Sequence, residues 1–352
     1  MKIKMNALDT LFFRDGKPFS KGEENWSDGI FPPYPSVFYG ALRSAFFSEN
    51  IEKFHSLAKD DFNTKKDPTT KLKITNISLL ISDELVYPFP KDCLIEVGES
   101  SAVRIRSFEN KNLSSSPTDF VLKTNEKKYE TIKDGFISLN DFNKYLNNQK
   151  DRFTVKHLEI INEPKTGNGR NFETRRTDDD SMLYRVDMKR LGNVKIIIEF
   201  EGLDLSESGF LKLGGEGKAV YYETYTENCE PIFPSIKEEF VMYISTPTFF
   251  KNGWLPDFIN IDTHFGKIAG LEVKLISAIV DRPLNIGGYD MKKNYPKPMQ
   301  KAVPAGSVYF FKILKGDPES LKNLQGKSIS SQKQKEGFGI VYFGKTTMEV
   351  SR

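Results

Sequence analysis

The fold class is indicated by two stretches near the N-terminus: MKIKMNALDTLFF at residues 1–13 and PSVFYGALRSAFF at residues 35–47. In the first stretch, Ile3, Met5 and Ala7 alternate with polar residues, which is the period of a half-buried β-strand. In the second, apolar residues recur on one face of a helix, where Gly40 would let the helix lie close to a sheet. The chain therefore opens with a strand, a loop and a helix.

Further apolar runs predict strands that do not alternate regularly with helices. We expect strands at residues 74–81, 182–191, 194–202, 219–225, 240–246, 273–280, 307–314 and 337–344, and a helix at residues 139–146. Only Gly192-Asn193 separates the second and third strands, which predicts a tight hairpin between them. Residues 107–125 are rich in Ser, Asn and Lys, and we expect an exposed, mobile insertion there. This irregular order favours an α+β fold over a doubly wound parallel sheet.

Length and composition predict two packed domains. The chain has 352 residues, 38% hydrophobic and 28% charged, and two prolines in residues 227–236 mark a boundary. We therefore expect domains at residues 1–236 and 237–352. Cys93 and Cys229 are far apart, so a disulfide framework or zinc ribbon is excluded, and no stretch has the pattern of a signal peptide or membrane span. We expect a soluble, cytoplasmic protein.

The formal net charge of +3 excludes a histone-like binder but not a local basic patch. Residues 282–301 form the most basic window, with five basic residues against one aspartate. Gly287-Gly288 precede two tyrosines, Tyr289 and Tyr295, which lie among the cations. Cations for the phosphates and aromatic rings for the bases are what binding of single-stranded RNA needs. We favour RNA contact over a solvated loop.

Three further glycine-containing segments are candidates for close approach to RNA. Arg170, Arg175 and Arg176 follow Gly167 on a segment we expect to project, although three aspartates come next and a solvated loop is an equal alternative. Gly214-Gly215 lies in a cluster that lacks the ending of a phosphate-binding loop, so a hairpin turn is its alternative. The C-terminal segment 337–344 predicts a glycine-rich loop running into a last strand, with a turn needed only for folding as its alternative.

Candidate catalytic residues are few. The histidines are His55, His157 and His264, and none is spaced as a metal-binding pair. His55 could act as the general base of a metal-independent ribonuclease, but a lone histidine after a helix is more often structural. We therefore expect no catalytic residues, no metal and no cofactor.

Taken in order, these segments resemble the RAMP superfamily of CRISPR proteins, and specifically the third-subunit family of the type III-B (Cmr) complexes. The resemblance rests on residues 8–19, 31–43, 167–191, 213–217, 282–290, 297–309 and 337–344. It leaves residues 54–161 unmatched, as a family-variable insertion.

The resemblance implies two ferredoxin-like (RRM-like) units with insertions and glycine-rich loops. It also implies a non-catalytic subunit of an antiviral ribonucleoprotein. Such a subunit holds the 5′ tag of the CRISPR RNA and docks on the large polymerase-like subunit beside a backbone subunit. The candidate RNA-binding residues are Arg14, Arg43, Arg170, Arg175, Arg176, Gly214, Gly215, Gly287, Gly288, Tyr289, Lys292 and Lys293. The alternatives are an endoribonuclease that processes CRISPR transcripts and a scaffold that binds only proteins.

Overall fold

The computed structural model describes residues 1–14, 26–27, 29–58, 60–110, 117–168, 174, 183–227, 230–290 and 295–350. The helices are α1 (Pro35–Glu49), α2 (Ile51–His55) and α3 (Leu139–Leu146), and the 3-10 turns are Pro318–Leu324 and Gln334–Glu336.

The strands of the N-terminal half are β1 (Lys2–Ala7), β2 (Trp26–Ser27), β3 (Lys73–Ile81), β4 (Glu84–Pro88), β5 (Cys93–Glu96), β6 (Ser101–Arg104), β7 (Ser107–Asn110), β8 (Phe120–Leu122), β9 (Tyr129–Thr131), β10 (Gly135–Ser138), β11 (Arg152–Thr154), β12 (Lys156–His157) and β13 (Ile160–Asn168). Those of the C-terminal half are β14 (Leu183–Leu191), β15 (Val194–Glu201), β16 (Ser208–Lys212), β17 (Ala219–Thr224), β18 (Glu239–Ile244), β19 (Phe265–Ile268), β20 (Leu271–Ile279), β21 (Leu284–Ile286), β22 (Tyr289–Asp290), β23 (Tyr295–Pro296), β24 (Gln300–Ala302), β25 (Val308–Lys315), β26 (Val341–Lys345) and β27 (Glu349–Val350).

The chain forms two compact units, each built from separate stretches of sequence. The first unit comprises Met1–Leu72, Glu159–Tyr225 and Asn285–Gln300. The second comprises Lys73–Leu158, Thr226–Leu284 and Lys301–Arg352. The domain boundary expected at residues 236/237 remains a prediction.

The first unit contains an antiparallel run of strands in the order β15-β1-β17-β16. Ile3 and Met5 on β1 are buried, as their alternation predicts. Helix α1 supplies the facing core residues Phe38, Ala41, Leu42, Ala45 and Phe46, which all belong to the predicted apolar face. Full burial of a large apolar side chain such as Phe38 contributes about 1.5–3 kcal/mol.

Two local expectations about the first unit are wrong. Gly40 is exposed, and a β-carbon placed on it would meet no atom within 4 Å, so it does not bring α1 close to a sheet. The strands β14 and β15 do not form a hairpin, because β15 pairs with β1 whereas β14 pairs with β13 and, in parallel, with β2. A turn-forming dipeptide therefore joins two sheets.

The second unit contains a five-stranded antiparallel sheet in the order β19-β20-β25-β18-β26. Its core holds Phe240, Leu275, Phe311 and Phe343, all fully buried. Further runs of paired strands in this unit are ordered β12-β10-β4-β3, β11-β6-β5-β9 and β27-β7-β8.

A buried polar cluster fixes α3 within the second unit. The side chains of Arg104 and Asp92 are both 0% exposed, and Nε of Arg104 lies 3.0 Å from Oδ2 of Asp92. The hydroxyl of Tyr145 on α3 donates to Asp92 over 3.0 Å, and Arg104 donates to the carbonyl oxygen of Tyr145. Burial raises the pKa of Asp92 despite these partners. The cluster pairs two buried ions with each other, which offsets part of the cost of burying them, although Nη2 of Arg104 has no hydrogen-bond partner.

The predicted strands and the predicted helix at residues 139–146 are confirmed, with ends differing by a few residues. Residues 107–125 are only partly as expected. The structure describes β7 and β8 there, and Phe108 is fully buried with its ring 4.9 Å from that of Phe310. The fold is an α+β fold made mainly of antiparallel sheets, as the sequence predicts in outline. No helix among the described residues is long and apolar enough to cross a membrane.

Candidate nucleic-acid interface

The basic window at residues 282–301 contains a short hairpin. Strands β22 and β23 pair so that Tyr289 faces Pro296 and Asp290 faces Tyr295. The N–H of Lys297 donates to the carbonyl of Gly288 over 2.9 Å and extends this pairing. Lys292 and Lys293, between the two strands, lie outside the described residues, as does the side chain of Tyr289.

The described arm of this hairpin is open to solvent. Tyr295 is 69% exposed, Lys297 is exposed and Met299 is 44% exposed. A β-carbon on Gly287 would lie 2.4 Å from the sulfur of Met299, so this glycine makes room for a side chain of the same hairpin. Tyr295 is therefore the aromatic ring that the structure shows to be accessible, whereas sequence reasoning preferred Tyr289. The signal for it was its place among the cations of the window.

The arginine-bearing segment is carried by a long hairpin. Nine residue pairs join β13 and β14, from Ile160 opposite Leu191 to Asn168 opposite Leu183. At about 3.4 Å per residue, the two strands extend for about 30 Å. Most described side chains of β13 are exposed. Its candidates, Arg170, Arg175 and Arg176, lie outside the described residues.

The glycine turn after β16 lies against the chain itself. Gly214 has a φ of +79°, and a β-carbon there would lie 2.3 Å from the carbonyl oxygen of Phe12 and 2.9 Å from the ring of Phe13. The N–H of Gly215 donates to the same carbonyl over 2.8 Å. The close approach that these glycines permit is therefore used for packing, which is the hairpin-turn alternative.

An ionic network surrounds this turn and the base of the long hairpin. Asp9 pairs with Lys218 and with Arg190, and Arg190 also pairs with Glu163. Hydrogen bonding from Lys218 lowers the pKa of Asp9, and hydrogen bonding from Arg190 lowers the pKa of Glu163. Sequence reasoning missed these pairs because the residues are distant in sequence. They neutralise the cations Lys218 and Arg190 at the hairpin base.

Arg43 occupies an internal hydrogen-bond network. Its guanidinium donates to Oγ1 of Thr69 over 2.7 Å, to Oδ1 of Asn63 over 3.0 Å and to Oδ2 of Asp67 over 2.6 Å. Burial raises the pKa of Asp67, but hydrogen bonds and the Arg43 charge outweigh it, and the pKa is lowered overall. Arg43 therefore holds the turn after α2, and its contact with RNA stays a prediction. Arg14 is exposed and its backbone forms a β-bridge with Gly29.

The C-terminal glycines also serve packing. Gly339 has a φ of +76°, and a β-carbon there would lie 2.6 Å from the backbone nitrogen of Ser330. Phe338 is fully buried, with its ring 5.1 Å from that of Phe249. A β-carbon on Gly344 would lie 3.0 Å from the backbone of Leu146. The folding alternative thus explains this segment.

His55, the candidate general base, lies at the end of α2. It is exposed, and its ring lies 6.1 Å from the ring of Phe54. Within the described part of the chain, no group of three or more His, Cys, Asp or Glu is placed to hold a metal ion.

Comparison with solved structures shows a likeness to proteins of CRISPR effector complexes. A chain of "Cryo-EM structure of the Type III-B Cmr-beta bound to cognate target RNA and AMPPnP, state 1" matches with a TM-score of 0.51 and 15% identity, over 88% of this chain and 86% of that chain. A chain of "Cryo-EM structure of the Type III-B Cmr-beta bound to cognate target RNA" matches over the same shares with 15% identity and a TM-score of 0.48. A chain of "Crystal structure of Csm3-Csm4 subcomplex in the type III-A CRISPR-Cas interference complex" gives 10% identity and a TM-score of 0.37, over 91% and 96%. At this identity, the likeness concerns the fold alone.

The family is shown by sequence. The model of the family described as "CRISPR-associated protein (Cas_Cmr3)" matches residues 3–346, so the chain belongs to this family, a subunit family of the type III-B Cmr effector complexes. No curated protein matches the sequence. The family expected from the sequence is therefore confirmed.

Proposed function

We propose that the chain is a non-catalytic, guide-RNA-binding subunit of a type III-B ribonucleoprotein. It would hold the 5′ tag of the CRISPR RNA and dock on the large polymerase-like subunit beside a backbone subunit. Family membership supports the setting. The solved structure described as Cmr-beta bound to cognate target RNA and AMPPnP, state 1, supports RNA as the ligand.

The observation that carries the RNA assignment is the open hairpin of the basic window. An exposed tyrosine and an exposed lysine lie two residues apart, at 295 and 297. An aromatic ring and a cation at this spacing suit one base and its neighbouring phosphate. We propose phosphate contacts by Lys292 and Lys293 and base stacking by Tyr289, with Tyr295 as a second stacking residue.

We propose a second set of phosphate contacts at the tip of the long hairpin, by Arg170, Arg175 and Arg176. Arginine suits this role because its planar guanidinium can donate two hydrogen bonds to one phosphate. The exposed strand that leads to this tip supports the assignment. Backbone approach at Gly287-Gly288 and a contact by Arg14 complete the proposed surface.

The ferredoxin-like architecture is part of the proposal and is supported by one sheet. Across this sheet its four longer strands lie in the order β20-β25-β18-β26. Numbered by their order along the chain, these strands are arranged 2-3-1-4. This is the strand order of a ferredoxin-like sheet, which alternates two strand–helix–strand halves. Here a 3-10 turn, Pro318–Leu324, stands between β25 and β26 in the place of a helix.

The proposal is tested by replacing the two lysines of the hairpin. The variant Lys292→Ala with Lys293→Ala should weaken binding of tag-containing RNA. It should also reduce the slope of log affinity against log salt by about one for each phosphate that is no longer bound. The matched control is Lys65→Ala with Lys66→Ala, an adjacent pair of exposed lysines in the turn after α2. A salt slope equal to that of the wild type would remove this hairpin from the proposed surface.

The endoribonuclease alternative has its own test. If purified wild-type chain cleaves a CRISPR transcript without metal and His55→Ala does not, the chain is an enzyme. The scaffold alternative predicts that no RNA crosslinks form on the chain, even within the assembled complex.

A further inference from the structure

An exposed aromatic pair lies on the outer strands of the first unit. Phe210 on β16 is 64% exposed, although its side chain is large and apolar. It stands directly opposite Tyr221 on β17, with ring centroids 5.5 Å apart and planes tilted by 59°. Such cross-strand aromatic pairs stabilise sheets, but they are usually covered when one ring is this large.

This pair lies on the sheet face that points away from α1. Neighbouring residues of a strand point to opposite faces, so Tyr222 must face the other way from Tyr221. The hydroxyl of Tyr222 indeed donates to Glu49 of α1 over 2.7 Å, and Leu211, beside Phe210, is buried. Helix α1 thus covers one face of these strands and leaves the aromatic pair on the other.

The same face carries a third aromatic ring and several lysines. Tyr225 follows Tyr221 by four residues, about 13 Å along the chain, and Nζ of Lys2 lies 5.3 Å from the Tyr225 ring. Lys4 lies opposite Glu223 and pairs with it over 2.8 Å. By strand alternation, the charged residues on this face of β1, β15, β16 and β17 are Lys2, Lys4, Lys195, Lys212, Glu199 and Glu223.

The open part of this face is limited to β1, β17 and β16. Ile197 of β15 points to the same side and is fully buried, so β15 is covered there. We use the name outer sheet face for the surface formed by Phe210, Tyr221, Tyr225, Lys2, Lys4 and Lys212.

We propose that the outer sheet face binds single-stranded RNA, by stacking a base on Phe210 and an adjacent base on Tyr221 and by placing phosphates near its lysines. Aromatic rings on neighbouring strands of an open sheet are the means by which RNA-recognition sheets stack bases. This site shares no residue with the hairpins of the proposed function and would stand even if those hairpins did not bind RNA.

Charge and composition favour RNA over a protein partner for this face. Three lysines, Lys2, Lys4 and Lys212, stand against one glutamate, Glu223, and this positive excess suits a polyanion. The centre of a protein interface is usually depleted of charged residues and of lysine in particular. Here lysines stand on the same face as the rings, which do not form a continuous apolar centre.

The test separates stacking from simple apolar contact. We would measure binding of a fluorescein-labelled, single-stranded oligouridine to the full chain by anisotropy. The variants would be Phe210→Leu, which keeps an apolar side chain but removes the ring, and Phe210→Trp, which keeps a ring. The matched control is Phe265→Leu, because Phe265 is 47% exposed on a strand of the second unit and has Lys274 over its ring.

Removal of one stacking ring should weaken binding about 5- to 150-fold. We expect that weakening for Phe210→Leu, near wild-type binding for Phe210→Trp, and no change for Phe265→Leu. Wild-type binding by Phe210→Leu would overturn the proposal. A further variant, Phe210→Asp, that kept its RNA affinity but no longer retained a neighbouring subunit in the purified complex would show that the face binds protein, and would also overturn it. The double variant of Lys292 and Lys293 reports separately on the proposed function.

Discussion

Substitution of Gly214 tests whether the glycine turn serves packing. Gly214→Ala places a methyl group 2.3 Å from the carbonyl oxygen of Phe12 at a backbone φ of +79°. The left-handed conformation costs a residue with a β-carbon about 1–2 kcal/mol. Relief of the clash requires a shift of the backbone, which at a packed site costs about 1–3 kcal/mol. We therefore expect a destabilisation of about 2–5 kcal/mol, the sum of the two costs.

Gly217→Ala is the matched control within the same turn. Gly217 has a φ of +64°, but a β-carbon there would meet no atom within 4 Å. Only the conformational cost of about 1–2 kcal/mol applies to it. Urea unfolding followed by circular dichroism would give the two midpoints. Hydrogen exchange of residues 9–14 would show whether their packing against the turn is loosened. Equal midpoints for both variants, with unchanged exchange, would refute the reasoning.

Three further substitutions probe the polar contacts. Arg43→Ala should destabilise the chain by about 3 kcal/mol, because it leaves the buried carboxylate of Asp67 without its cation. The pKa of Asp67 is lowered, so this contribution to stability is complete at neutral pH and is lost as pH falls through that lowered pKa. The difference in urea midpoint between Arg43→Ala and wild type should therefore shrink in acid. Tyr145→Phe should cost about 1–3 kcal/mol, because it removes a buried donor to Asp92, and a calorimetric melting temperature equal to that of wild type would contradict this. Asp9→Asn should leave the melting temperature unchanged within error at physiological salt, because its pairs are exposed and screened, and a clear drop would show that this network matters to stability.

Periodicity predicted strands such as β1, β3 and β17, because their alternate residues are buried and therefore apolar. It could not predict which strands pair. The partner of β14 is β13. The sequence of β13, IINEPKTGN, is mostly polar and contains Pro164, so it has no apolar alternation that would predict a strand. Similarly, Phe108 is one aromatic residue in a polar stretch, and its burial depends on Phe310, far away in sequence.

The candidate site was predictable in composition but not in geometry. A glycine that permits close approach does not reveal what approaches, and for Gly214 the neighbour is Phe12 of the same chain. The sequence likewise does not show which acidic residue pairs with an arginine on a helix. In the structure, Arg43 donates to Asp67, which lies in the turn after α2. The basic window was recognisable because its cations and tyrosines are close in sequence. The exposed Phe210 was missed because its strand, with the sequence SGFLK, has no apolar alternation and was not predicted.

The most direct test of the proposed function is to crosslink guide RNA within the purified complex and map the crosslinked residues. Photoreactive uridines placed in the 5′ tag should crosslink to residues 167–176 or 282–301 of this chain. Crosslinks of the tag to other subunits alone, with none on this chain, would contradict the account and leave the chain as a protein scaffold.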